Sequence, residues 1–98
     1  MNIRTMPEFD EWLSCQDRHS RGQIDDRLDR IREHNHFGDR KYLGAGLLEL
    51  RWRNGRRVYY AVAADKDGNI AIMLLGGGKN GQTRDIARAR EILERKDD

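Results

Sequence analysis

The chain has 98 residues, of which 37% are hydrophobic and 37% charged, with a formal net charge of +2 and a single cysteine, Cys15. That length is read as one domain, expected over residues 1–98, with a modest core. No apolar run approaches the roughly 18 residues that span a bilayer, no signal-peptide pattern opens the chain, and one cysteine excludes an internal disulfide; a cytoplasmic setting without membrane contact is therefore expected.

In chain order, Asn2 to Arg4 reads as a short strand. Thr5-Met6-Pro7-Glu8 fits an S/T-x-x-E capping box, with proline tolerated in the first turn, and Phe9, Trp12 and Leu13 then share one helical face. Ser20-Arg21-Gly22-Gln23 fits the same box with glutamine, and Ile24, Leu28 and Ile31 follow at i, i+4 and i+7. This second helix should end between Asn35 and Gly38, where a left-handed residue is easily supplied.

From Leu47 the period changes to two, and Leu47–Trp52, Arg57–Ala63 and Ile70–Leu75 read as strands with a turn at Asp65-Lys66-Asp67-Gly68-Asn69. The last of these strands is apolar at nearly every position, which predicts an interior strand covered on both faces. Ile86, Ala89 and Leu93 give a final amphipathic helix, with Arg84, Arg88, Glu91 and Arg95 along its wet side. The order β-α-α-β-β-β-α predicts an α+β fold. Its four-stranded, mainly antiparallel sheet carries the two N-terminal helices, with Trp12, Leu28, Leu50, Val58, Tyr60 and Ile72 in the core and a helix at the C-terminus.

Asn54-Gly55 is a strong hairpin signal, and the loop length decides which side chains meet. A two-residue turn pairs Arg53 with Arg56 and mixes arginines into both faces. A three-residue loop, Arg53-Asn54-Gly55, pairs Arg51 with Arg57 and Leu50 with Val58. That register gathers Leu48, Leu50, Val58, Tyr60 and Val62 on a core face and leaves Glu49, Arg51, Arg57 and Tyr59 opposite. A one-residue slip exchanges the faces completely, so the apolar pattern selects the longer loop. Arg51 facing Arg57 costs about 0.2–1 kcal/mol. Either an anion sits between the two arginines or both splay into water. On this reading, removal of Arg57 leaves the fold unharmed or slightly more stable, Tyr60 is core, and Tyr59 is exposed.

Charge is unevenly placed. Between Arg40 and Arg57 stand six basic residues (Arg40, Lys41, Arg51, Arg53, Arg56, Arg57) and one acid, Glu49. Such a concentration suits a phosphate-bearing partner, and equally a solvated charged face. LLGGGKNGQT, residues 74–83, is glycine-rich but is no nucleotide-binding loop: Asn80 follows Lys79 where the phosphate loop needs Ser or Thr, and the preceding glycine spacing fails. His34 and His36 lack a third ligand nearby and read as a helix end, so no metal or other cofactor is expected.

Taken together, GDRKYLGAGLLELRWRNGRRVYYA and LLGGGKNGQTRDIARA resemble the RelE/ParE superfamily of type II toxins, in its phage-derived, HigB-like "addiction module killer protein" branch. The matching elements are Gly38-Asp39 with Lys41, Glu49-Leu50-Arg51, Gly55-Arg56-Arg57-Val58-Tyr59-Tyr60, and Gly77, Gly78, Lys79, Gln82, Asp85, Ile86 and Ala89. The chain departs from the pattern in its short Asn-Gly loop, in Arg56 where an aromatic is usual, and in Gly76 where a cysteine is usual. The resemblance implies that Gly76 to Gly78 supply unusual backbone angles and close approach at the strand exit, delivering Lys79 to the face of Arg51 and Arg57.

It further implies a metal-free endoribonuclease, an mRNA interferase in which the RNA 2′-OH attacks the adjacent phosphate. Arg51 and Arg57 would stabilise charge, and Lys79 would bind phosphate or donate a proton. Glu49 is either the base or the ion-pair partner of Arg51, and Tyr59 is an acid or a stacking platform. Lys41, Arg53, Arg56 and Arg84 would extend the RNA-binding surface. The implied partners are mRNA, the ribosome and a cognate antitoxin, commonly a helix-turn-helix protein; the implied outcome is translation inhibition. Two alternatives share the fold: a ParE-like inhibitor of DNA gyrase, and an RNA-binding module without catalysis.

Overall fold

The computed structural model describes residues 1–96; the last two positions of the expected domain lie outside the described residues. The elements are β1 (Asn2–Thr5), α1 (Pro7–Ser14), α2 (Arg18–His34), β2 (Arg40–Gly44), β3 (Leu47–Arg51), β4 (Arg57–Asp65), β5 (Gly68–Gly77) and α3 (Gln82–Lys96). They form one five-stranded sheet in the order β1-β5-β4-β3-β2, parallel between β1 and β5 and antiparallel elsewhere.

The α+β class and the element order agree with the sequence reading, and the sheet has one strand more than expected. The addition is β2, whose residues Arg40, Lys41 and Tyr42 are exposed. An edge strand needs backbone pairing on one side only, so it carries no apolar alternation to announce it. Its turn into β3 is tight, with left-handed backbone at Gly44, Ala45 and Gly46. Arg90 of α3 clamps the end of β2 by donating to the carbonyls of Leu43 (2.8 Å) and Gly44 (3.0 Å).

Neither expected capping box forms. Thr5 is occupied in β1, opposite Met73, so α1 starts after Met6 with no side-chain cap. The α2 helix begins three residues earlier than the box at Ser20 implies. Asp17 is its cap and accepts the Ser20 N–H at 2.7 Å. The far end of α2 behaves as expected, closing on Asn35 in the left-handed conformation (φ 53°).

Two hydrophobic layers flank the sheet. On one side Phe9, Ile24, Leu28 and Ile31 of α1 and α2 pack on Leu50, Val58, Tyr60, Ala71 and Met73. On the other, Ala89 and Ile92 of α3 pack on Leu47, Tyr59, Ala61, Ile72 and Leu74. Ile72 is therefore core, but on the α3 side, and Trp12 is only partly buried at the edge of the first layer. Val62, expected in the core, is 42% exposed.

A bulge resets the alternation of β5. Tyr59 pairs with Leu75 but Tyr60 pairs with Met73, so Leu74 is the extra residue and both leucines join the α3 layer. Beyond it, Gly76 turns toward α1 and Gly77 toward α3. A Cβ on Gly76 would lie 2.1 Å from the Trp12 ring, and one on Gly77 would lie 2.1 Å from Asp85 Oδ2. The expectation of unusual backbone angles here is overturned: none of Gly76, Gly77 and Gly78 has positive φ. Close approach alone accounts for the first two glycines.

Arg27 of α2 ties the layers together at the future site. Its Nε donates to the Phe37 carbonyl at 3.0 Å, its two terminal nitrogens donate to the carbonyls of Asp39 and Arg51, and its guanidinium lies 4.4 Å above the Trp52 ring.

These contacts yield a paired prediction for the glycine run. Gly76→Ala forces a methyl into the indole of Trp12 and should destabilise the protein by about 1–3 kcal/mol, as overpacking does. Gly78→Ala meets nothing within 4 Å and has an ordinary φ, so it should stay within about 0.5 kcal/mol of wild type. Denaturant unfolding of both variants checks this; equal midpoints would show that the Trp12 contact is not what requires glycine.

Candidate active site

The β3–β4 hairpin forms in the register that the apolar pattern selects. Leu48, Glu49, Leu50 and Arg51 stand opposite Tyr60, Tyr59, Val58 and Arg57. The loop is closed by the Trp52 N–H donating to the Arg56 carbonyl (3.0 Å) and the Gly55 N–H donating to the Trp52 carbonyl (3.1 Å). Gly55 has φ +95°, and Asn54 Oδ1 accepts the Arg56 N–H at 3.0 Å, so each residue of Asn-Gly does the work its type allows.

The facing arginines share a counter-ion. Glu49 is 1% exposed, and its Oε1 lies 3.9 Å from Arg51 Nε and 4.0 Å from Arg57 Nε. Its Oε2 accepts from Gln82 Nε2 at 3.2 Å, at the start of α3. The sequence reading leaves this face open between an anion site and water; α3 covers it at Glu49 and Tyr59. Glu49 thus stands between both arginines as their ion-pair partner, enclosed from solvent. Arg57 is nearly as enclosed, with its side chain 10% exposed and Nη1 donating to the Arg56 carbonyl at 3.1 Å. This enclosure gives the opposite expectation to the sequence reading, in which Arg57 can be lost without harm to the fold. Removing it leaves a buried carboxylate short of a partner.

Tyr59 is likewise buried, not exposed: its hydroxyl is enclosed without a hydrogen-bond partner. Burial pushes its phenol up to about 12, helped by the Glu49 and Asp85 carboxylates and opposed by Arg57. The same covering by α3 explains this. Arg56 is 8% exposed and folded back on α2, donating to Gln23 Oε1 and Ser20 Oγ at 3.0 Å each, with its guanidinium 5.6 Å from the Trp52 ring. It is held by the fold at the place where the sequence suggests an RNA contact.

What remains open to solvent is a cavity at the hairpin tip, where Arg51, Arg53 and Arg57 meet Lys79 and Asp39. Lys79 reaches it because β5 ends at Gly77 and the chain crosses the hairpin. A Cβ built on Gly55 would lie 3.1 Å from that of Lys79, so Gly55 makes room for it. Arg51 is the cation that faces both ways, with its side chain 40% exposed and its Nε 4.0 Å from Asp39 Oδ2 as well as near Glu49. Lys41 pairs with Glu49 across β2–β3 and so shares the face of Arg51, exposed at the sheet edge. Arg84 is exposed at the start of α3, its Nε 4.0 Å from Asp85 Oδ1. Burial raises the Asp85 carboxyl, against the opposing pull of Arg84. Among the described residues no three His, Cys, Asp or Glu side chains are grouped to hold a metal ion, and His34 stands exposed beside Glu33.

Sequence reasoning brings together Arg51, Arg57 and Lys79, and the structure places all three on one cavity. It passes over the contributions of Asp39 and Gln82, although both lie within the motif series, and that of Arg27. A lone arginine on a helix gives no sign that its target is three carbonyls far along the chain.

Residues 11–97 match the family described as phage derived protein Gp49-like (DUF891), and the chain belongs to that family. A protein of Haemophilus influenzae, itself described as uncharacterized, is 34% identical over 95 residues, spanning 96% of this chain and 94% of that protein. Among solved structures, the YoeB/ParE toxin from Agrobacterium tumefaciens superposes with a TM-score of 0.62 over 80% of this chain and 98% of the toxin, at 15% identity. At that identity the likeness is one of fold.

Two measurements follow from the enclosed network. Glu49→Ala should cost about 3–5 kcal/mol, since it strands Arg57 in a buried position, whereas Arg51→Ala should cost far less because Arg51 is half in water. Equal melting shifts for the two variants would rule out the shared counter-ion. At high pH the sign is fixed by Tyr59. Its hydroxyl, raised from 10 to about 12, adds stability that is complete below pH 10 and lost as pH climbs through 12. Tyr59→Phe should flatten that alkaline decline in an unfolding-versus-pH series; an unchanged slope would contradict the burial.

Proposed function

We propose that this chain is the toxin of a type II toxin–antitoxin pair, on the HigB-like branch, and that it is a metal-free endoribonuclease acting on mRNA at the ribosome in the cytoplasm. The observation that carries the reading is the cavity at the hairpin tip, in which the exposed Lys79 and the half-exposed Arg51 stand beside the largely buried Arg57. Cations fixed around one opening suit a phosphodiester, and they suit still better the extra negative charge that forms on phosphorus as the 2′-oxygen attacks. Preorganisation is what distinguishes such a cavity from a solvated basic surface. Arg57 is locked by the loop carbonyls and by Glu49, so little reorganisation accompanies charge development.

Within this reading Arg51 and Arg57 stabilise the phosphorane, and Lys79 binds the phosphate and protonates the departing 5′-oxygen. Arg53 on the cavity wall, with Lys41 and Arg84 outward of it, guides the flanking strand. Glu49 and Arg56 act as positioning residues, and Tyr59 as a buried support beneath them. Neutralisation falls to a cognate antitoxin, a helix-turn-helix protein, whose acidic surface would mask the same cations.

Expression of the chain alone in bacteria should arrest growth and depress translation, and co-expression of the protein encoded beside it should restore both. Lys79→Ala and Arg51→Ala should each lower cleavage of ribosome-bound mRNA by about 10²–10³-fold at unchanged fold, the loss typical of one preorganised donor. If purified protein instead blocks DNA supercoiling by gyrase and leaves mRNA intact, the nuclease reading fails. Normal growth at verified expression would leave a binding module without catalysis.

A further inference from the structure

We infer that Asp39 is the group that accepts the 2′-hydroxyl proton; the inference rests on the nuclease reading above and adds to it a catalytic residue. A cavity built only of cations can hold a phosphodiester but lacks a base to activate the nucleophile. Glu49 and Tyr59, the two groups that the sequence offers for proton transfer beside the lysine, are 1% and 0% exposed, so neither reaches a bound strand. Among the described residues Asp39 is the one acidic side chain lining the cavity of Arg51, Arg57 and Lys79, and it is 68% exposed.

Its position is fixed although its carboxylate is free to act. The Asp39 carbonyl accepts the Arg51 N–H at 3.0 Å and a second bond from the Arg27 guanidinium. The preceding residue, Gly38, holds a left-handed φ of +72°, with the Arg27 guanidinium 3.2 Å from where its side chain would begin. The backbone is therefore clasped from α2 and from β3, and the carboxylate projects beside Arg51, with Oδ2 at 4.0 Å from its Nε. A carboxylate here opposes RNA binding, since it places negative charge among the cations that attract phosphate. A module that only bound RNA would gain by lacking it.

The step balances without a further reagent. Asp39 takes the proton of the 2′-hydroxyl, and the 2′-oxygen bonds to phosphorus. The bond from phosphorus to the 5′-oxygen breaks, and that oxygen takes a proton from Lys79. The products are a 2′,3′-cyclic phosphate and a 5′-hydroxyl.

The test separates rate from affinity. Asp39→Asn keeps the shape and the backbone contacts, so the variant should fold as wild type does. Binding is measured with a 2′-O-methylated RNA oligonucleotide, which cannot be cleaved, and single-turnover cleavage with ribosome-bound, unmodified mRNA. Cleavage should fall by about 10²–10⁴-fold, the range of one general base. Affinity should hold or tighten, and Asp39→Glu should recover part of the rate. Wild-type cleavage by Asp39→Asn, or a loss of affinity that matches the loss of rate, overturns the role of Asp39 alone. If wild-type protein cleaves no RNA, the nuclease reading falls and takes this inference with it.

Discussion

One carboxylate withdrawn from water organises this molecule's chemistry. Glu49 sits under α3 with two arginines and a glutamine around it, and a buried charge of that kind persists only if its partners stay close. The constraint runs outward from there. Arg57 must lie along the hairpin, where the loop carbonyls hold it; Arg51 must stand opposite, with its outer half in solvent. Gln82 must open α3 at that spot, which sets where the helix begins to cover the sheet. The repulsion between facing arginines, taken pairwise, looks like a flaw. With the shared anion included, it becomes a means of presenting one arginine edge to solvent in a fixed direction.

The hairpin register was legible in the amino-acid order because two independent signals agree on it. Asn54-Gly55 fixes where the chain reverses, and a single-residue slip would move Leu50 and Val58 off the core. What alternation does not say is whether the second face is wet. Glu49, Arg51, Arg57 and Tyr59 carry three charges, which fit an anion site and a solvent face alike. The burial of Glu49, Arg57 and Tyr59 was decided by α3, whose apolar stripe of Ile86, Ala89 and Leu93 needed a surface and found that one. The helix was visible; its destination was a tertiary matter. β2 escaped notice for a different reason, since an edge strand of charged residues makes backbone bonds that leave no pattern in side-chain type.

The glycine run shows how a correct position can carry a wrong cause. Three glycines at a strand exit suggest backbone freedom, yet the chain there runs in ordinary conformations. The selection is spatial: an indole fills the place of one side chain and a carboxylate that of the next. Asp39 teaches the converse. Next to arginine and lysine in Gly-Asp-Arg-Lys it looks like a neutralising neighbour. Only the packing of α2 against the end of β3 puts it at the mouth of a cationic cavity, through Arg27, a residue with no motif of its own.

The parallel pairing of β1 with β5 has a consequence for the order in which the molecule comes into being. Residues 2–5 have no sheet partner until residues 70–73 exist, so both N-terminal helices and three further strands must be made before that edge of the sheet can close. Contacts so distant in sequence are slow to form, because a long loop must be ordered before they return anything. Lys79 follows still later than the strand that delivers it. A ribosome making this protein therefore carries no assembled cavity until residue 79 has been added. The cation cluster comes together only after Lys79 is in place, and a product terminated between Arg57 and Lys79 would hold both hairpin arginines and yet lack the lysine that closes the set.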